Sequence, residues 1–127
     1  VFLQPILTHP EQAWALRNLR TGRLLATALE AAFDSASRRR GLLGRKELGA
    51  GSALIIAPCS GIHTFFMQFP IDVIFVRRDG TVTHVVTQLP PWRIGVSLWA
   101  FAVVETAAGT AARTGTRRGD QLRVEVS

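Results

Sequence analysis

Apolar and polar positions follow two different periods along this chain. After a coil-like start over residues 1–12, expected to be an extended or loosely ordered lead-in, Ala13–Leu19 and Leu24–Leu29 read as strands around a turn at Thr21-Gly22. In Ser35–Leu43 the period lengthens: Ala36, Arg39 and Leu43 recur at helical spacing, with Asp34 or Ser35 as the cap and Gly44 as the stop. Beyond that point strand-sized apolar runs take over. Ser52–Ala57, Ile62–Met67 and Ile71–Val76 are separated by Pro58 and by Phe69-Pro70. Asp79-Gly80 joins Ile71–Val76 to Thr81–Thr87 and is the strongest hairpin signal in the chain. Pro90-Pro91 interrupts the pattern, Val96–Glu105 resumes it, Thr110–Thr114 predicts one helical turn, and Gly119-Asp120 turns into Gln121–Val126. Seven or so short strands with one or two short helices predict an α+β domain on a curled, largely antiparallel β-sheet, barrel-like if its edges meet. No repeat or Gly/Ser linker divides residues 1–127, so a single domain is expected.

Composition narrows the class. Of the 127 residues, 47% are hydrophobic and 19% charged, the balance of a chain that folds around a core. No apolar run approaches the roughly 20 residues that span a bilayer, so no membrane span is expected. Val1–Leu7 is apolar but has neither a basic n-region nor a small-residue cleavage site, and is not read as a signal peptide. As given, the chain is expected in the cytoplasm; a start at Val1 leaves room for an export segment upstream. One cysteine, Cys59, excludes an intramolecular disulfide and a multi-cysteine zinc site. The net charge of +6 invites a nucleic-acid reading. Apart from Arg38-Arg39-Arg40 the basic residues are dispersed, however, and no nucleic-acid-binding signature accompanies them. A protein or peptide is the expected partner rather than nucleic acid.

The most distinctive stretch holds His63-Thr64, Met67, Ile71-Asp72 and Phe75, preceded by Arg40-Gly41-Leu42-Leu43 and followed by Asp79-Gly80, Glu105, Gly109 and Gly119-Asp120. It resembles the domain of unknown function 192 family over about Leu19 to Val126. That family's pattern is an Arg-x-Gly-Leu element, His-Thr-x-x-Met-x-x-x-Ile-Asp-x-x-Phe, a Glu before an Ala-Gly step, and a terminal Gly-Asp. Two departures stand out. Arg38, Arg39 or Arg40 could each play the family's Arg, and Thr106-Ala107 replaces the more usual Leu-Pro. The resemblance marks Arg38, Gly41, Leu42, Met67, Gly109, Gly119 and Asp120 as structural motif residues. It implies a fold but no activity. Some members carry export signals or sit beside pilus or secretion machinery, which implies an accessory role at the envelope.

The polar residues leave several chemistries open. On a strand, His63, Phe65 and Met67 share one face, so His63 is either a core histidine or a ligand or general base. Asp72 begins an apolar run and needs partners, from Arg38, Arg40, Arg93 or His63, or from backbone bonds that tie two loops together. Glu105 poses the same problem, and with Asp72 it could form an acid–base pair. Asp120 reads as a turn aspartate and Asp79 as a hairpin residue. The Cys59, His63, Met67 spacing is that of a copper loop with a thiolate, an imidazole and a thioether, but only His9 and His84 could complete it. Packing of Met67 and burial of Cys59 account for the same residues, so no metal and no cofactor are expected. A nucleophilic Cys59 with His63 lacks a recognisable oxyanion loop. Pro90-Pro91-Trp92-Arg93 and Trp99 suit recognition of a peptide, sugar or anion, or simply stiffen a loop.

Three functions follow. The preferred one is a non-catalytic binding or accessory module with a cleft of His63, Asp72, Trp92, Arg93 and Glu105. The second is a small hydrolase or isomerase using His63 with Asp72 or Glu105. The third is metal binding through Cys59, His63 and Met67.

Overall fold

A computed structural model describes residues 2–127. Along them run α1 (Gln4–Thr8), β1 (Trp14–Asn18), β2 (Leu24–Ala26), β3 (Ala28–Ala32), α2 (Ser35–Arg40), β4 (Ser52–Ile56) and β5 (Gly61–His63). There follow β6 (Ile71–Val76), β7 (Val82–Leu89), β8 (Ile94–Val96), β9 (Ala102–Ala107), α3 (Thr110–Thr114) and β10 (Leu122–Val126). The strands form a three-stranded sheet β10-β1-β2, a five-stranded sheet β3-β4-β9-β6-β7, and a two-stranded ribbon β5-β8. Every pair is antiparallel except β3–β4. The fold is α+β with curled sheets that do not close into a barrel. The first two sheets meet at two corners: β2 passes into β3 across Thr27, and a Thr81–Gln121 bridge links the β7 hairpin to the start of β10.

Alternation along the central strands divides the core in two. Ala53, Ile55, Ile74, Val76, Ala102 and Val104 face the three-stranded sheet and close a first core with Leu16, Leu25, Leu122 and Phe2. Leu54, Ile56, Val73, Phe75 and Val103 point the other way into a second core under Leu42, Leu48 and Met67. Because both faces are covered, Ile71–Val76 is buried at every position, as a run apolar on both faces apart from Asp72 predicts. The Asp79-Gly80 turn is also as expected. Asp79 accepts the Thr81 N–H at 2.9 Å, and Gly80, at φ 89°, leaves no room for a side chain: a Cβ there would lie 2.7 Å from the Leu122 carbonyl oxygen.

Several segments depart from expectation, each for a local reason. Val1 lies outside the described residues, but the rest of the lead-in is not extended. Its residues Gln4–Thr8 form α1, and Phe2, Leu3 and Ile6 are buried in the first core. Leu24–Leu29 is broken at Thr27, where the chain changes sheets, and β3 runs on to Ala32. The second helix, capped by Asp34 on the Ser37 N–H at 2.8 Å, stops at Arg40, because Gly41 takes φ 47° ahead of Gly44. Val96–Glu105 is two strands, β8 and β9, separated by a turn that returns the Ala100 N–H to the Ser97 carbonyl. Most consequential, Ile62–Met67 is not one strand. Pairing with β8 ends at His63, and buried Thr64 latches the chain to the following loop instead. Its hydroxyl donates to the Pro90 carbonyl at 2.6 Å and accepts from the Arg93 N–H at 2.9 Å. His63 and Met67 therefore do not lie in one row on a strand.

Candidate functional site

The second face of the five-stranded sheet carries one group out of keeping with its neighbours. In register with Leu54 and Val73, Glu105 projects among Leu54, Ile56, Val73 and Val103 and is only 3% exposed. The residue lines a cavity of about 220 Å³. Ile56, Leu42, Leu43, Ile62 and Met67 supply apolar walls, and Cys59, His63 and Arg38-Arg39-Arg40 line the remainder. The local sequence explains this assembly. Asp34 fixes the start of α2, so its last turn carries the three arginines to the cavity. Gly41 then turns the chain back over the sheet, and a Cβ at Gly41 would lie 3.8 Å from Glu105 Oε1.

Glu105 Oε1 is buried and has no hydrogen-bond partner among the described residues. Burial pushes its pKa from 4.5 up to about 7, against the pull of the Arg45 guanidinium. Near neutral pH the cavity therefore holds a carboxyl group close to half protonated, able to donate or accept a hydrogen bond. Burial also raises the Cys59 thiol, as does the charge of Glu105, against a backbone hydrogen bond at Gly61 and the Arg38 charge. The thiol donates to the Gly61 carbonyl at 3.0 Å. A protonated thiol engaged in this way is a weak nucleophile and a weak metal ligand. His63 Nδ1 accepts the Phe65 N–H at 3.3 Å.

Of the expected cleft, His63 and Glu105 share this cavity; Asp72, Trp92 and Arg93 do not line it. Asp72 corrects both the cleft and the acid–base pair. It registers with Thr106, one residue off Glu105, so its side chain leaves the opposite face of the sheet. Among the described residues no arginine or histidine hydrogen-bonds to it. Oδ1 accepts the Gln88 N–H at 2.8 Å, and Oδ2 accepts the N–H groups of Gly109 at 3.1 Å and Ala111 at 2.8 Å. That is the loop-tying arrangement, joining the end of β7 to the start of α3. Trp92 packs outside the cavity against Phe65 and Phe66, with ring centroids 5.8 and 4.6 Å away. Arg93 points back onto the Pro91 and Trp92 carbonyls, and Trp99 lies beside Arg77 and Arg78.

Cys59, His63 and Met67 do line the cavity together, but Met67 belongs to the second core, His9 is paired with Glu11, and His84 stacks on Phe75. Among the described residues, no three of His, Cys, Asp and Glu converge as a metal site. The other motif residues make local contacts. Arg38 donates to the Phe33 carbonyl at 2.9 Å, Leu42 is buried, and Gly109, at φ 97°, presents its N–H to Asp72. After Gly119, Asp120 holds the Arg117 N–H, as a turn aspartate does, and also Asn18 at 2.9 Å and Arg20 at 2.6 Å. Burial would raise its pKa, but the Arg20, Asn18 and Arg117 hydrogen bonds outweigh it and hold the group at about 2.

Sequence reasoning missed Ile56, Ile62 and Leu43 as cavity walls and Thr64 as the latch. The first three read as ordinary core positions, and nothing in a short apolar run marks a wall. Thr64 did carry a signal, since it sits inside the most distinctive motif, between His63 and Met67.

No curated protein sequence matches the chain. Two solved structures share the fold. One is a protein of unknown function from Novosphingobium aromaticivorans, 26% identical with a TM-score of 0.74, the match covering 87% of this chain and 82% of that one. The other, from Sinorhizobium meliloti and provisionally described as a transcription regulator, is 24% identical with a TM-score of 0.77, covering 89% and 92%. At that identity the second likeness speaks for the fold alone. The DUF192 family, described as an uncharacterised ACR, matches residues 17–124, and the chain belongs to this family.

Proposed function

We propose that the protein is a non-catalytic module that binds a small anionic molecule bearing a hydroxyl or amide group. The observation that carries this reading is the unpartnered Glu105 Oε1 in a cavity walled by apolar side chains and by three arginines. A buried polar atom without a partner is costly, and a ligand that supplies one recovers that cost. The three arginines suit a carboxylate or phosphate at the other end of such a molecule. At about 220 Å³ the cavity falls below the roughly 300–1,000 Å³ of drug-sized sites, so the ligand is metabolite-sized. An accessory role beside envelope or secretion machinery would extend this reading and rests on the family resemblance alone.

The test is a titration with lactate, malate and glycerol phosphate, read by amide and methyl resonances of Ile56, Cys59 and Ile62. Binding is expected to weaken as pH rises through about 7, where Glu105 becomes an anion that repels the ligand, and to lose that pH dependence in Glu105→Gln. If none of the three compounds moves a cavity resonance, the reading falls.

Acid–base catalysis is the second reading, favoured by a carboxyl group whose pKa of about 7 suits proton transfer. It requires His63 as the partner, because Asp72 lies across the sheet. No hydrogen bond joins His63 to Glu105 among the described residues, and Nδ1 is turned to the Phe65 N–H. This ranks catalysis second.

A further inference from the structure

The ribbon β5–β8 breaks the rule that an exposed strand face is polar. Ile94 and Val96 point outward from β8 while Gly95 between them is buried against Phe75 and Leu89. Leu98 and Trp99 extend the apolar row at one end, 84% and 76% exposed. At the other end stand Phe66, 72% exposed, and Trp92, whose rings meet at 4.6 Å. Both of these aromatic residues hold φ near +66°, a conformation bulky side chains rarely adopt, so the fold presents them outward at a cost in backbone strain. Such exposures mean that the side chains stand out from the surface rather than line a groove for a peptide. A single-molecule surface seldom leaves so many large apolar groups uncovered along one ribbon.

Charge decides among occupants. Arg77 and Arg78 flank Trp99, Arg93 follows Trp92, and Arg78 stacks over Phe101 at 4.0 Å. Asp79 is the acidic residue beside Trp99, and its carboxylate is engaged by the Thr81 N–H. The chain as a whole carries +6. Protruding tryptophans and aliphatic side chains bordered by arginines match the boundary between lipid headgroups and acyl chains, where the aromatic rings enter and the guanidinium groups meet phosphates. A second copy of the same basic surface would instead repel. We infer that the β5–β8 ribbon docks on an anionic lipid surface. This inference is independent of the Glu105 cavity.

Vesicles containing phosphatidylglycerol, compared with vesicles of phosphatidylcholine alone at low salt, provide the test by co-sedimentation and tryptophan fluorescence. Trp14 is buried and stays constant, so a blue shift reports Trp92 and Trp99. The wild type is expected to bind only the anionic vesicles and to release with salt. Arg77→Ala with Arg78→Ala weakens binding by roughly tenfold or more, and Leu98→Ser with Trp99→Ser weakens co-sedimentation with the anionic vesicles to a similar degree, Trp92 remaining as the fluorescent reporter. All four side chains are exposed, and unchanged thermal midpoints confirm that the variants fold. Absence of binding to anionic vesicles, or binding that neither variant pair alters, overturns the inference. A concentration-dependent dimer dissolved by Leu98→Ser with Trp99→Ser, without vesicle binding, overturns it in favour of a second copy.

Discussion

Asp72 and Glu105 are both buried carboxyl groups on neighbouring strands of one sheet, one residue apart in register, and they have opposite fates. Asp72 leaves the face toward the first core and receives three backbone N–H groups. Glu105 leaves the other face and has an oxygen with no partner. The difference lies in what the chain brings to each end of the strand pair. At Asp72, the end of β7 and the turn into α3 converge with their N–H groups free, so the carboxylate stands in for missing backbone partners. At Glu105, apolar side chains and a cavity converge. A satisfied buried carboxylate holds a fold together; an unsatisfied one weakens it and suits a ligand.

The largest effect expected from this contrast is for Asp72→Ala. It strands three N–H groups and should cost about 4 kcal/mol of unfolding free energy, measured by urea denaturation at pH 7. A loss below about 1 kcal/mol would remove the distinction between the two carboxyl groups.

Next comes Glu105→Gln. The folded-state pKa is raised, so the native protein holds a proton that the unfolded chain releases. Stability is therefore full below about pH 4.5, falls as pH rises from there to about 7, and is level beyond. Glu105→Gln should abolish that decline and exceed the wild type by about 3 kcal/mol at pH 8, with little difference at pH 4. Parallel pH–stability curves for the two proteins would refute the raised pKa.

Asp120 sharpens the comparison as a third carboxyl group, satisfied like Asp72. Its lowered pKa contributes stability that is present above about pH 3.8 and lost as pH falls toward 2. Because Arg20 is partly open to water, about 1 kcal/mol is expected. It should be missing from Asp120→Asn in acid titrations of the melting temperature. The smallest effect concerns Cys59. Removing the nearby charge in Glu105→Gln lowers the thiol pKa slightly and should speed iodoacetamide alkylation at pH 8 by about two- to threefold.

How much of this was legible in the sequence varied with the range of the forces involved. Ile71–Val76, Thr110–Thr114 and the Asp79-Gly80 hairpin were legible because burial on both faces, one helical turn and an Asx-stabilised turn are local signals. The break after His63 was not. Thr64 leaves the strand to bond with Pro90 and Arg93, and no local pattern encodes a partner so far along the chain. The cleft failed in part for the same reason. His63 and Glu105 were found as odd polar groups among apolar ones, whereas separating Asp72 from Glu105 required the inter-strand register, which fixes the face. The α1 helix was missed because Pro5 and a short apolar run resemble a coil until Phe2, Leu3 and Ile6 meet the core.

The pairing of β1 with β10 has a kinetic consequence. Trp14 opposes Val126, and Arg17 binds Glu125 across a separation of 108 residues. The first core cannot be shut until this pair forms, since Leu16 and Val124 are among its walls. Loop closure over such a span is entropically expensive, and β domains dominated by distant contacts fold on the millisecond-to-second scale. During that interval the apolar face of the five-stranded sheet stands open to solvent. Emerging from a ribosome, the chain would wait for β10 as an unfinished half-sandwich, the state most exposed to aggregation and to chaperone capture.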